Sequence, residues 1–176
     1  MPHGVGKTVF FGGPIQHAFS AVVCDKPLKS IILSLINRLK RDGYSVLSAH
    51  LEEKFGQVDM SGQPLYVTDR DHRWMLACDI YVCVIPAGRD GRPYRTDGTC
   101  IELGWASAYQ KKVVVLWDSS LEYSHLIIGL GAVADVTQLD LRDVLDNPDL
   151  FASALRSKPA SWKNDHSIKS IHSVGE

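Results

Sequence analysis

The chemistry-bearing residues of this chain concentrate in one segment, RTDGTCIELGWASA, over residues 95–108. A loop carrying Thr96, Gly98 and Thr99 leads into a helix expected from Thr99 to Gln110. Backbone N–H groups and hydroxyls at a helix start bind phosphate without needing a lysine. Glu102 follows about one turn inside that helix. The helix dipole there favours the ionised carboxylate, which suits a nucleophile better than an acid. Thr99 and Glu102 also have the spacing of a capping box, in which both side chains only tie down the helix start, and both readings stand at this point. A second acidic group lies in VTDRDHRWMLACD, with Asp69, Asp71 and Asp79. A carboxylate from this helix facing the same crevice as Glu102 would complete the pair that glycosyl transfer uses. The plainer reading is a solvated polar face whose aspartates serve the helix dipole. Leu103, Trp105, Ala106 and Ala108 read as core, and His50 and His125 as hydrogen-bonded structural residues.

These groups need a scaffold, and the pattern of the chain supplies one. TVFF, over residues 8–11, is a buried strand stopped by Gly12-Gly13-Pro14. From Pro27 a helix shows Leu28, Ile31, Ile32, Leu35, Ile36 and Leu39 at spacings of three and four, and Gly43 stops it. YSVLSA is a second strand, then a polar stretch to Leu65 holds a short helix and a loop, and a helix spans Tyr66 to Ala77. DIYVCVIP, nearly all apolar, suits a parallel strand covered on both faces. After the polar loop AGRDGRPYRTDG and the Glu102 helix come the strand KVVVLWD, a helical segment from Leu121 to Leu130, a weak strand ADVTQLDL and a helix from Leu141 to Leu155. This alternation predicts a doubly wound α/β fold with a five-stranded parallel sheet in the order 2-1-3-4-5, Rossmann-like in its winding. Ligands of such sheets bind beyond the carboxyl ends of strands one and three, and the two most glycine-rich loops fall there.

Composition narrows the classes. The 176 residues suit one domain, expected over residues 1–156, with a polar tail over 157–176. Nineteen basic against twenty acidic residues leave no positive excess to attract nucleic acid or an anionic membrane. No segment reaches the length of a membrane span. GVGKT, over residues 4–8, lacks both the first glycine of a phosphate loop and the strand before it. Cys24, Cys78, Cys83 and Cys100 have no metal-like spacing and are expected as reduced, mostly buried thiols of a cytoplasmic protein; neither metal nor cofactor is expected.

FFGGPI, the Asp71 helix and DGTCIELGWASA, in that order, resemble the nucleoside 2-deoxyribosyltransferase superfamily over about residues 9–136. Within it, SAHLEEKFG, ELGWASA and YSHLIIGLG resemble the nucleoside 5'-monophosphate N-glycosidases, and CMP hydrolases most. The resemblance implies that Glu102 is the nucleophile at the anomeric carbon and that Asp71 assists near base and sugar. It implies that Phe10 lines the base pocket, and that Gly12, Gly13, Pro14 and Ile15 form the loop beside base, sugar and phosphate. Thr96 and Ser124 stand where transferases for free nucleosides carry an aspartate and an asparagine, which implies a 5'-phosphate site with Gly13, Gly98 and Thr99. It also implies a homodimer whose partner supplies that serine. Asp97 beside the phosphate segment, Gln16 in place of an arginine, and a long loop with Arg89, Arg92 and Arg95 depart from the pattern. A transferase between bases and a nucleotide-binding sensor without turnover are the competing readings.

Overall fold

The computed structural model describes residues 4, 6–20, 23–88, 90–94 and 96–157. Five parallel strands form one sheet in the order β2-β1-β3-β4-β5: β1 is Thr8–Gly12, β2 Ser45–Leu47, β3 Ile80–Ile85, β4 Lys112–Trp117 and β5 Val136–Asp140. Central β3 is buried at every position, as expected of a strand covered on both faces. Register places Gly12 beside Cys83 and Phe10 beside Tyr81.

Strand parity sorts the core. Val9, Phe11, Val82, Val84, Val114 and Leu116 point to one face, where they meet Ile32, Ile36 and Phe151. Phe10, Tyr81, Cys83, Val113 and Val115 point to the other, against Met75, Leu103 and Ala106. The first face is covered by helix α1, Lys26–Arg41. Asp25 caps it by accepting from the Leu28 N–H at 3.0 Å, and Arg38, Lys40 and Arg41 meet the negative end of its dipole. The second face is covered by α3, Pro64–Ala77, and α4, Asp97–Ala108. Between β2 and α3 lies one short helix, α2, Ala49–Glu52.

Several boundaries differ from expectation. Helix α4 starts at Asp97 rather than Thr99, so Thr99 lies inside the first turn. The segment expected as one helix to Leu130 holds only α5, His125–Ile128, followed by a 3-10 turn at Leu130–Ala132, since its glycines weaken helical continuity. The last helix is two, α6 Leu141–Asp146 and α7 Pro148–Arg156. Asn147 breaks it: its side chain accepts from the Asp149 N–H and starts α7, while Pro148 has no N–H to continue α6. Cys78 and Cys83 are buried, but Cys24 and Cys100 are exposed, Cys24 in a loop and Cys100 on the outward side of α4, against the expectation of mostly buried thiols. Residues 158–176, most of the expected tail, lie outside the described residues. Among the described residues no helix is long and apolar enough to cross a membrane, and no group of three His, Cys, Asp or Glu side chains is placed to hold a metal.

Candidate active site

A cleft of about 170 Å³ opens where β1 and β3 end. The loop after β1 forms one wall through Gly12–His17, α2 and its C-cap another through Ala49, His50 and Glu53, and α3 a third through Val67 and Asp71. The start of α4 closes it with Thr96, Asp97, Gly98, Thr99 and Glu102. This is the point where the winding direction switches, because β1 runs on to its neighbour β2 on one side and β3 lies on the other.

Glu102 reaches the cleft from α4 and is buried to 8 % exposure. Its carboxylate accepts a hydrogen bond from the Tyr81 hydroxyl at 2.5 Å and takes none from the backbone of its own helix. Thr96 occupies the N-cap position and makes no side-chain cap bond. The capping-box reading therefore falls, and the carboxylate is held by a strand residue across the site. Gly12 makes room for this pair: a Cβ there would stand 2.5 Å from both Glu102 Oε2 and the Tyr81 hydroxyl oxygen. Burial pushes the Glu102 carboxyl up to about 8. The Tyr81 bond opposes that rise and the nearby Asp71 charge adds to it. The dipole-favoured anion expected from sequence is corrected here, since desolvation outweighs the helix start.

Asp71 lies on the inner side of α3, buried, and lines the cleft. Burial raises its carboxyl above the usual range, against the Arg70 guanidinium that bonds it. Asp69, two residues earlier, is exposed and pairs with Arg73 one turn on. The polar helix face and the site carboxylate thus coexist in one segment, separated by the turn of the helix. His50 is fully buried: its Nε2 donates to the Pro14 carbonyl at 3.1 Å, and burial lowers its imidazole to about 4. It holds the glycine loop against α2 as a neutral ring, in keeping with a structural histidine.

Thr96, Gly98 and Thr99 line the cleft together with Gly13, Pro14 and Ile15, with Thr99 buried and Gly98 exposed. Exposed Asp97 sits among them at the start of α4. Arg92 is exposed, and Arg89 and Arg95 lie outside the described residues. Two expected site residues are not in this cleft. Phe10 is wholly buried, its ring 5.6 Å from Trp74 and 5.3 Å from Tyr81, so it backs the site instead of lining it. Its place two residues before the strand end keeps it within the sheet. Ser124 is exposed and caps α5 by accepting from the Leu126 N–H. Tyr81, Glu53 and Arg70 were not singled out from sequence. Tyr81 carried a signal, a hydroxyl inside an otherwise apolar buried strand, which must find a partner.

No protein-family model matches the chain, and no curated protein does. Solved structures do. The solution structure of BlsM is 28% identical, with a TM-score of 0.70, 88% of this chain and 91% of that one covered. The CMP N-glycosidase BcmB of Clostridium botulinum is 25% identical, with a TM-score of 0.56, covering 81% of this chain and 99% of its own. A 2-deoxyribosyltransferase from Bacillus psychrosaccharolyticus shares the fold at 21% identity and a TM-score of 0.55, covering 87% and 98%. The sheet order, the cleft at its switch point and these likenesses place the chain in the nucleoside 2-deoxyribosyltransferase-like superfamily.

Proposed function

We propose that the protein hydrolyses the N-glycosidic bond of a nucleoside 5'-monophosphate, CMP or a related pyrimidine nucleotide, to free base and a pentose 5-phosphate. The observation that carries this reading is one cleft holding a buried carboxylate, Glu102, together with the start of its own helix, Thr96 to Thr99, one to two turns before it. A phosphate bound at that helix start would fix the sugar with its anomeric carbon over Glu102. Glu102 then bonds to the anomeric carbon as the bond to the base nitrogen breaks, and water releases the sugar in a second step. The departing base takes a proton; Glu102 and Asp71 titrate as a coupled pair, and in the reacting form the pair's proton sits on Asp71, whose carboxyl burial also raises and which lines the same cleft.

The same reading places Ser124 in the partner's cleft of a homodimer. Its own cleft lacks it, and the helix it caps presents Leu126, 83 % exposed, and Ile128 to solvent. The described helices α3 and α4 add exposed Leu76, Ile101 and Tyr109, apolar surface of the kind dimers cover. A cytoplasmic setting suits the four free thiols. We take residues 1–156 as one domain.

The test is a panel of ribo- and deoxynucleoside monophosphates, with base release followed by chromatography in the presence and absence of a second free base. Release without an acceptor supports hydrolysis. Exchange that requires the acceptor assigns a transferase instead, and release from none of the panel refutes both.

A further inference from the structure

Arg70 does not line the cleft, yet it touches two of the four carboxylates that do. Its Nη2 donates to Glu53 Oε1 and its Nε to Asp71 Oδ1, each at 2.8 Å. Glu53 comes from the C-cap of α2 and Asp71 from α3, so one guanidinium edge ties two elements together. The side chain is about 6% exposed, and the guanidinium carbon lies 4.8 Å from the Trp74 ring centre and 5.9 Å from that of Tyr66. These are the residues one turn on either side along α3, so the cation is held between two rings. Its Nη1 is buried with no hydrogen-bond partner. Nothing in the chemistry proposed above uses this group, and burying a cation with a spare donor costs free energy.

The surroundings of Glu102 supply a reason. From β3 it is faced by Tyr81 and the Cys83 thiol, from α3 by Asp71 and Arg70, and from the C-cap of α2 by Glu53. His17 and His50 line the same cleft, and Asp97 begins the helix that carries Glu102. Asp71 and Glu53 resist ionisation of Glu102, and Arg70 favours it. We propose that Arg70 is the positioning residue of this site: it fixes Glu53 and Asp71 with one oxygen each turned toward the cleft, and its charge allows a third carboxylate, Glu102, to become an anion beside them. The forked side-on geometry, flanked by rings, is one that a lysine cannot reproduce.

The proposal rests on Glu102 being the reacting carboxylate, but its test does not need turnover. Carboxyl carbons of glutamate, labelled with carbon-13, are titrated by NMR, and the Glu102 signal is assigned by its loss in Glu102→Gln. In Arg70→Gln the Glu102 midpoint moves up by about one pH unit or more; in Arg70→Lys it stays near the wild-type value. Glu53→Gln moves it the opposite way, downward, because a like charge has gone. In active enzyme the acid limb of kcat/KM shifts in step, and Arg70→Lys keeps the limb while kcat falls roughly tenfold, through loss of the fork. An unmoved midpoint in Arg70→Gln, or an unmoved or raised one in Glu53→Gln, overturns the proposal and leaves Arg70 a packing residue. If Arg70→Gln fails to fold, the Glu53→Gln and Arg70→Lys titrations decide alone. Absence of base release by the wild type refutes the hydrolase reading and leaves these titrations valid.

Discussion

Replacing Glu102 by glutamine should stabilise the protein, and only above a definite pH. The carboxyl has an ordinary value of 4.5 and is raised by burial to about 8 in the folded chain. Between those values the folded chain keeps a proton that the unfolded chain gives up. Stability from this group is therefore complete below 4.5 and is lost as pH rises through about 8. The interval corresponds to a loss on the order of 3–5 kcal/mol. Glutamine keeps the size, accepts the Tyr81 bond and carries no proton to lose. Urea unfolding at pH 5, 7 and 9 reads the difference. Wild type and variant should agree within about 1 kcal/mol at pH 5, and the variant should lead by about 3 kcal/mol or more at pH 9. Groups that do not interact with Glu102 contribute to both curves and cancel in the comparison, whereas the charges of Asp71 and Glu53, which oppose its ionisation, are part of the difference being read. Parallel curves across the range would show that Glu102 is solvated and anionic in the folded protein, and the account of its burial would fail. The same variant should release no base, so that stability and activity move in opposite directions at one residue.

Three further substitutions probe the geometry. Gly12→Ala puts a Cβ 2.5 Å from the Glu102 and Tyr81 oxygens, and base release should fall about 100-fold or more while circular dichroism stays unchanged; near-normal turnover would mean the pair is not held as described. Tyr81→Phe removes the hydroxyl that holds Glu102, costing roughly 10–100-fold in kcat and moving the acid limb of the pH profile upward, since that bond favours the anion; an unchanged limb would count against it. Thr96→Ala and Ser124→Ala should raise KM for a nucleotide about tenfold and leave KM for the matching nucleoside nearly unchanged, and equal effects on both would argue against a 5'-phosphate site.

The sequence by itself determined the framework. Apolar runs bounded by glycine and proline, alternating with residues at helical spacing, were enough to set five strands and their order, because chain connectivity and right-handed crossovers leave few alternatives. It also pointed to Glu102 and the Thr96 segment, since polar groups at helix starts of such a sheet fall at its switch point, while only the family resemblance favoured Asp71 over Asp69. Tertiary structure alone decided which carboxylates are buried in the cleft and which are exposed. Asp69 and Asp71 are two residues apart, and the helical turn exposes one and buries the other. Tyr81 and Glu102 are 21 positions apart, and their contact exists because strand parity and the close passage at Gly12 aim both into one small space. Phe10 belongs to that space only as backing, a matter of where the strand ends. Burial, which no short-range pattern encodes, then set the proton affinity of Glu102 against the pull of its own helix, because desolvation depends on everything packed around a group.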